Sequence, residues 1–373
     1  MRQPTSDKKA RASEVAKNRK PPFYRSEGTQ GSNGNESCPS VNQKMEGKPV
    51  EITAEHRIKA IAFLADAGQI VTSDGGGRVR RWRIKDGNEV GKPVYAGSNA
   101  WTIAVSQDGL WIVAGTAWGH VTVWDEERHK KVVGFEAQEM VPGPEGLAVP
   151  GVGVRVVDIS PDGTKIATAS GYDARVWSLS TGQRLLTPFG HDGHVIAVKF
   201  SPNRHLATAS KPESDRDHSG SVRVYDSHDG RLCIDTPIQV SSKESLAWAS
   251  DGGKLFVLSH DGNMSSLDVS AGTTLSKWVI HDGSYELGSK SLASNSMFFV
   301  ASTDSSVSFW DTTTHKQIST VIHLPSGFKP DMMTISANND LAICGGTKII
   351  LWNLHDILPA PYCDNVSVLA SKA

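Results

Sequence analysis

His281, Ser302 and Asp304 bring an imidazole, a hydroxyl and a carboxylate into one short stretch of the chain. In an enzyme such a set takes the serine proton onto the imidazole while the carboxylate orients the ring. That chemistry also needs donors aimed at an oxyanion and a substrate pocket, and the neighbouring sequence suggests neither. His191, Asp192 and His194 could ligate a metal, but their spacing is not that of a closed site and no fixed further ligand accompanies them. A structural or surface role, with no metal, is the expectation there. Gly75-Gly76-Gly77 lacks the Lys-Ser/Thr that follows a phosphate loop and reads as a permissive hairpin turn. Cys38, Cys233, Cys344 and Cys363 form no CxxC pair, so reduced thiols are expected rather than a metal knuckle or redox motif. No paired carboxylates appear in a helix or pocket context for acid-base work. The chain is therefore expected to be non-enzymatic and to carry no cofactor.

The elements that position these residues repeat. From residue 56 an apolar alternating stretch is followed by a turn such as SQDG (106–109), SPDG (160–163) or ASDG (249–252), then a second stretch, a Gly/Asp/Ser turn and a third stretch. This is the turn chemistry of tight hairpins. The third stretches end at Trp82, Trp124, Trp177, Tyr225, Leu267, Trp310 and Trp352, spaced by 42, 53, 48, 42, 43 and 42 residues. A period near 42 with two insertions, at about 137–152 and 211–219, predicts an all-β, seven-bladed propeller of four-stranded antiparallel blades.

Trp124-Asp125 and Trp310-Asp311 carry a Trp-Asp pair, and Gly190-His191 supplies a Gly-His dipeptide ahead of a first strand. On these residues the units resemble WD repeats over about residues 46–355, and the ending LWNLHDIL looks like the close of expanded fungal WD-repeat families. The resemblance implies fold far more than function, because such scaffolds serve many unrelated partners. It also implies that His281, Ser302, Asp304 and Trp310 are an internal structural tetrad rather than a triad, with His191 and Ser210 a remnant in the fourth unit. In such repeats the outermost strand of one blade precedes the inner strands of the next, leaving one blade a strand short. Gly47-Lys48-Pro49-Val50 returns as Gly91-Lys92-Pro93-Val94, so residues 47–52 are expected to fill that gap and close the ring, removing exposed edges. Pro49, Pro93, Pro188 and Pro237 fall in such outer-strand segments, where a missing N–H costs little.

Propellers that this chain resembles commonly recruit partners on the face where the inner strands begin. Aligning the units places Arg57, Lys59, Trp101, Arg155 and His194 there in the first four, and Glu244, Glu286 and Asp331 in the last three. Basic residues are thus expected on one half and acidic ones on the other. A Trp beside arginines is a common interface hot spot, and separated charges set partner choice and on-rate. Proteins or peptides are the expected partners, bound by a domain that is itself a monomer.

The composition permits this reading. In 373 residues, 39 basic and 40 acidic side chains leave a net charge of -1, which gives no global field for nucleic acid or an anionic membrane. No apolar run is long enough for a membrane helix, and the start lacks a secretory core, so a cytoplasmic or nuclear location is expected. Residues 1–45 form a basic then polar arm, with eight Lys/Arg against two Asp/Glu in the first 25. Disorder is expected there, followed by the propeller at 46–355 and a tail at 356–373. Three alternatives to a protein-interaction scaffold follow: a chromatin or nucleic-acid adaptor using that arm, the substrate receptor of a ubiquitin ligase, and a propeller hydrolase, for which the channel would need convergent carboxylates or histidines.

Overall fold

Strands whose two faces are both covered need small or apolar residues at every position, and the second stretch of each unit meets that need. Gln69–Asp74, Trp111–Thr116 and Lys165–Ser170 are buried at all but their first residue. The outer stretches instead alternate towards solvent, as in Lys130–Glu136. A computed structural model describes residues 48–65, 68–97, 99–137, 141–142, 148–149, 153–211, 220–238, 240, 245–259, 262–280, 292–295, 297–303, 305–360 and 362. These build seven four-stranded antiparallel sheets, six of which follow chain order from inner to outer strand. Blades 1 to 6 run over 58–95, 100–136, 156–190, 194–236, 246–279 and 292–323, and blade 7 over 332–353. The insertion predicted at 137–152 carries a further two-stranded pair, Val141–Pro142 with Ala148–Val149. Among the described residues the only helical element is a single 3-10 turn, Leu354–Asp356.

The seventh sheet takes its fourth strand from the other end of the chain. Val50–Thr53 lies antiparallel to Lys348–Asn353, with Val50 opposite Leu351 and Thr53 opposite Lys348. Ile52 is buried and joins a cluster containing Ile349, Leu351 and blade 1's Ile58 and Ile70. The repeated Gly-Lys-Pro-Val is now explained: Val50 and Val94 each open the outer strand of a blade. The four prolines flank these strands rather than sit within them. Pro49, Pro93 and Pro188 immediately precede one, and Pro237 immediately follows Leu232–Thr236. At a flank the absent N–H removes no ladder bond.

Ring closure is reinforced by backbone and charge. Ala54 N donates to Thr347 O and Ile58 N to Gly346 O, each at 2.8 Å. Glu55, between the closing strand and blade 1, accepts from Arg78 at 2.8 Å and from Arg80 at 3.0 Å. The Arg78 hydrogen bond first, then the Arg78 charge and the smaller effects of the His56 and Arg80 charges, hold the Glu55 carboxyl below its ordinary pKa. Similar backbone bonds join later blades, Val154 N to Thr116 O and Val195 N to Gly171 O. The triple glycine is the turn between the second and third strands of blade 1. Gly77 has φ +78°, and a Cβ there would lie 2.1 Å from Gly97 O, so no other residue fits without displacing the backbone.

After the last strand the chain packs instead of leaving. Leu354 and Leu358 are buried in a cluster with Ile318, Phe298 and Phe309, Thr320 Oγ1 donates to Ile357 O at 3.4 Å, and the Tyr362 hydroxyl donates to Asp311 at 2.9 Å. The first residues of the predicted 356–373 tail thus cover blade 6.

Candidate interaction face

The hydrogen-bonded groups inside the blades account for most of the chemistry-bearing residues. In blades 1 and 3 the indole N–H of Trp82 donates to Thr72 Oγ1 at 2.8 Å and that of Trp177 to Thr168 Oγ1 at 2.9 Å. In blade 4, where Tyr225 stands for the tryptophan, His191 Nε2 shares a 2.9 Å hydrogen bond with Thr208 Oγ1. The partner is thus Thr208 and not Ser210, because Ser210 lies near the strand end and engages Ser221. Burial, with a contribution from the Arg223 charge, lowers the His191 pKa to about 4, so the ring is neutral at pH 7. In blade 6 the Trp310 indole donates to Ser308 Oγ at 2.9 Å. Trp310 pairs with Phe299 and Ser302 with Val307. The odd offset between Phe299 and Ser302 puts Trp310 and the buried Ser302 on opposite faces of the sheet. His281 and Asp304 lie outside the described residues.

The possible metal set is pulled apart in the same way. His191 points into its blade, Asp192 lies 3.5 Å from the Arg223 guanidinium, and His194 stacks on Tyr172 with centroids 4.7 Å apart. Among the described residues no three His, Cys, Asp or Glu side chains come together in a way that could hold a metal ion. A hollow of about 220 Å³ in the channel is lined chiefly by apolar residues of the innermost strands, including Ile61, Phe63, Ile103 and Val198. Its carboxylate, Asp158, is already engaged: Lys199 Nζ lies 3.1 Å away and Phe200 N donates at 2.7 Å.

The face where the innermost strands begin, here the upper face, offers a different kind of surface. Arg57 of blade 1 forms an ion pair with Asp331 of blade 7 at 3.1 Å. Two residues assigned by sequence to opposite charged halves are therefore neighbours across the ring closure, and their charges offset one another. Glu244 and Glu286 lie outside the described residues. From Arg57 the backbone leads from turn to turn: Gly75 N donates to Arg57 O, Ala117 N to Asn99 O, Val154 N to Thr116 O, Arg155 N to Ala169 O and His191 N to Tyr172 O. Lys59 approaches the same run, since a Cβ at Gly75 would lie 3.8 Å from both its side chain and that of Asn99. Lys59, Trp101, Arg155 and His194 thus lie along one arc over blades 1 to 4. Trp101, Arg155 and His194 are half-buried, and Arg155 Nε and His194 Nδ1 are buried without a hydrogen-bond partner.

Two members of this arc were not singled out from sequence. Trp118, in the turn after Trp111–Thr116, is 60% exposed, and Tyr172, in the turn after Lys165–Ser170, is 41% exposed. Both occupy the turn between the second and third strands of a blade, where the repeat pattern otherwise places Gly, Asp and Ser. An aromatic at that turn position was the available signal.

Comparison with known proteins agrees with this architecture. Residues 91–125 and 182–226 match the family described as WD domain, G-beta repeat. Each matched segment begins just before the outer strand of one blade and ends with the third strand of the next, at Asp125 and Asp226. The chain is similar to transcription initiation factor TFIID subunit 5 of Caenorhabditis elegans, with 27% identity across 58% of this chain and 31% of the relative. It is similar to autophagy-related protein 16 of Arabidopsis thaliana at 30% identity, over 31% of this chain and 22% of the relative. Small ribosomal subunit protein RACK1 of Caenorhabditis elegans is 30% identical over 28% of this chain and 33% of the relative. The matches span about a third or less of each relative's length.

Proposed function

Because this chain is a WD-repeat propeller, we propose that it is a non-enzymatic protein-interaction scaffold that presents the upper face of blades 1 to 4 to a protein or peptide partner. The observation that carries this reading is the exposure of Trp118 and Tyr172 on adjoining turns of one face, the latter stacked on His194. Large aromatics held at a surface by rigid turns are the residues on which interface energy concentrates. Lys59 and Arg155 beside them favour an acidic partner segment. The names of two relatives, a subunit of an initiation factor and a ribosomal subunit protein, support a role inside larger assemblies.

The test is affinity purification with mass spectrometry from the native cell. It compares wild type, Trp118→Ala/Tyr172→Ala, and Leu110→Ser as a control at an exposed site in another turn, each confirmed folded by circular dichroism. Loss of the same partners from the aromatic double variant alone is expected. Partners retained by that variant would remove the upper face from consideration.

A further inference from the structure

Blades 2, 3, 5 and 6 place an aliphatic residue at one equivalent point of the outer strand, directly after the residue opposite the third-strand aromatic or its substitute. In blade 2, Trp124 pairs with Lys131 and the next residue, Val132, is left unmatched in a bulge. In blade 5, Leu267 pairs with Thr274 and Leu275 is unmatched. In blade 3, Trp177 bridges Arg184, and Leu185 follows. In blade 6, Trp310 pairs with Gln317, and Ile318 follows. Three of these side chains face solvent at the outer rim: Val132, Leu185 and Leu275 are 46%, 47% and 49% exposed.

Ile318, at the same point, is only 6% exposed. The difference is the chain's own carboxyl-terminal segment. Ile357 and Leu358 pack into the cluster that contains Ile318, and Thr320 of the same outer strand donates to the Ile357 carbonyl. A short Asp-Ile-Leu segment therefore closes over this position once in the molecule.

We propose that the rim positions at Val132, Leu185 and Leu275 are docking points for a partner protein segment of the same chemistry, an acidic residue followed by two aliphatic ones. Among the described residues, the outer strands of blades 2 and 5 are the last strands of their sheets, so each offers an open sheet edge as well as an apolar anchor. Lys130 and Lys131 immediately precede Val132, and Lys277 lies two residues from Leu275, which complements an acidic segment. These points belong to the outer rim and do not depend on the upper-face aromatics.

The probe is a fluorescein-labelled synthetic peptide with the sequence of residues 354–359, LHDILP, titrated against the full chain and followed by anisotropy. Because the blade 6 position is already covered, binding to wild type is expected to report the open positions. Val132→Ser/Leu185→Ser/Leu275→Ser, three changes at exposed sites that leave the core intact, is expected to weaken binding by about tenfold or more. An Asp→Lys version of the peptide is expected to bind more weakly to wild type. Absence of saturable binding to wild type would overturn the proposal. So would binding that survives the triple variant but is lost in Ile318→Ser, since the peptide would then only be exchanging with the chain's own segment. The upper-face variant Trp118→Ala/Tyr172→Ala should bind the peptide as wild type does, which separates this outcome from the fate of the scaffold reading.

Discussion

Acidification should weaken the fold through His191 in particular. The imidazole is buried, and its pKa in the folded protein is about 4, whereas an exposed histidine titrates near 6.5. A base with a lowered folded pKa takes up its proton more readily when unfolded, so the unfolded state gains as pH falls through 6.5, and the loss is complete only below 4. Between pH 7 and pH 5 this amounts to about 2 kcal/mol, and the full difference of roughly 2.5 pH units corresponds to about 3 kcal/mol. The cause is local: the ring is buried and the Arg223 charge lies nearby, while Thr208 Oγ1 holds Nε2 in place. Other groups also titrate over this range, so the measurement is a difference. Urea unfolding of wild type and His191→Gln at pH 7, 6 and 5 gives two stability profiles. The glutamine variant should start lower at pH 7 yet lose about 2 kcal/mol less between pH 7 and 5. Parallel profiles would refute the reasoning, because they would mean that His191 is protonated in the folded state or is not buried.

Removing residues 48–54 should cost several kcal/mol, through lost burial of Ile52 and the ladder to Lys348–Asn353, and should lower Tm clearly. Removal of residues 1–44 is expected to leave Tm unchanged, and equal effects in a thermal scan would dismiss the closure argument. Thr168→Val keeps the shape but leaves the Trp177 indole N–H without its 2.9 Å acceptor. A loss of about 1 to 3 kcal/mol is expected, checked by denaturant unfolding alongside Thr164→Val, an exposed control on blade 3 that should change little.

The propeller was legible because its punctuation is local. An aromatic that packs between blades and an Asp/Gly turn recur at fixed intervals whatever the partner, and two strands of nearly continuous small and apolar residues leave few other arrangements. The residues inside the blades were harder to pair. Ser210 and Thr208 both lie on the strand that faces His191, and only the way Ser210 is taken up by Ser221 decides between them. On the upper face the residue types were readable but their neighbours were not. Arg57 and Asp331 are 274 positions apart, and they meet only because the ring closes.

The sequence by itself determined the number of blades and the strand that seals them, since these follow from spacing and from the twofold alternation of strands. The tertiary structure decided which charges offset one another, which hydroxyl meets which ring, and which apolar residues stay uncovered. Ile318 and Leu275 are alike in sequence position. One is buried because the chain returns over it and the other is exposed because nothing described does. Such outcomes depend on contacts between distant segments, which no local pattern of residues encodes.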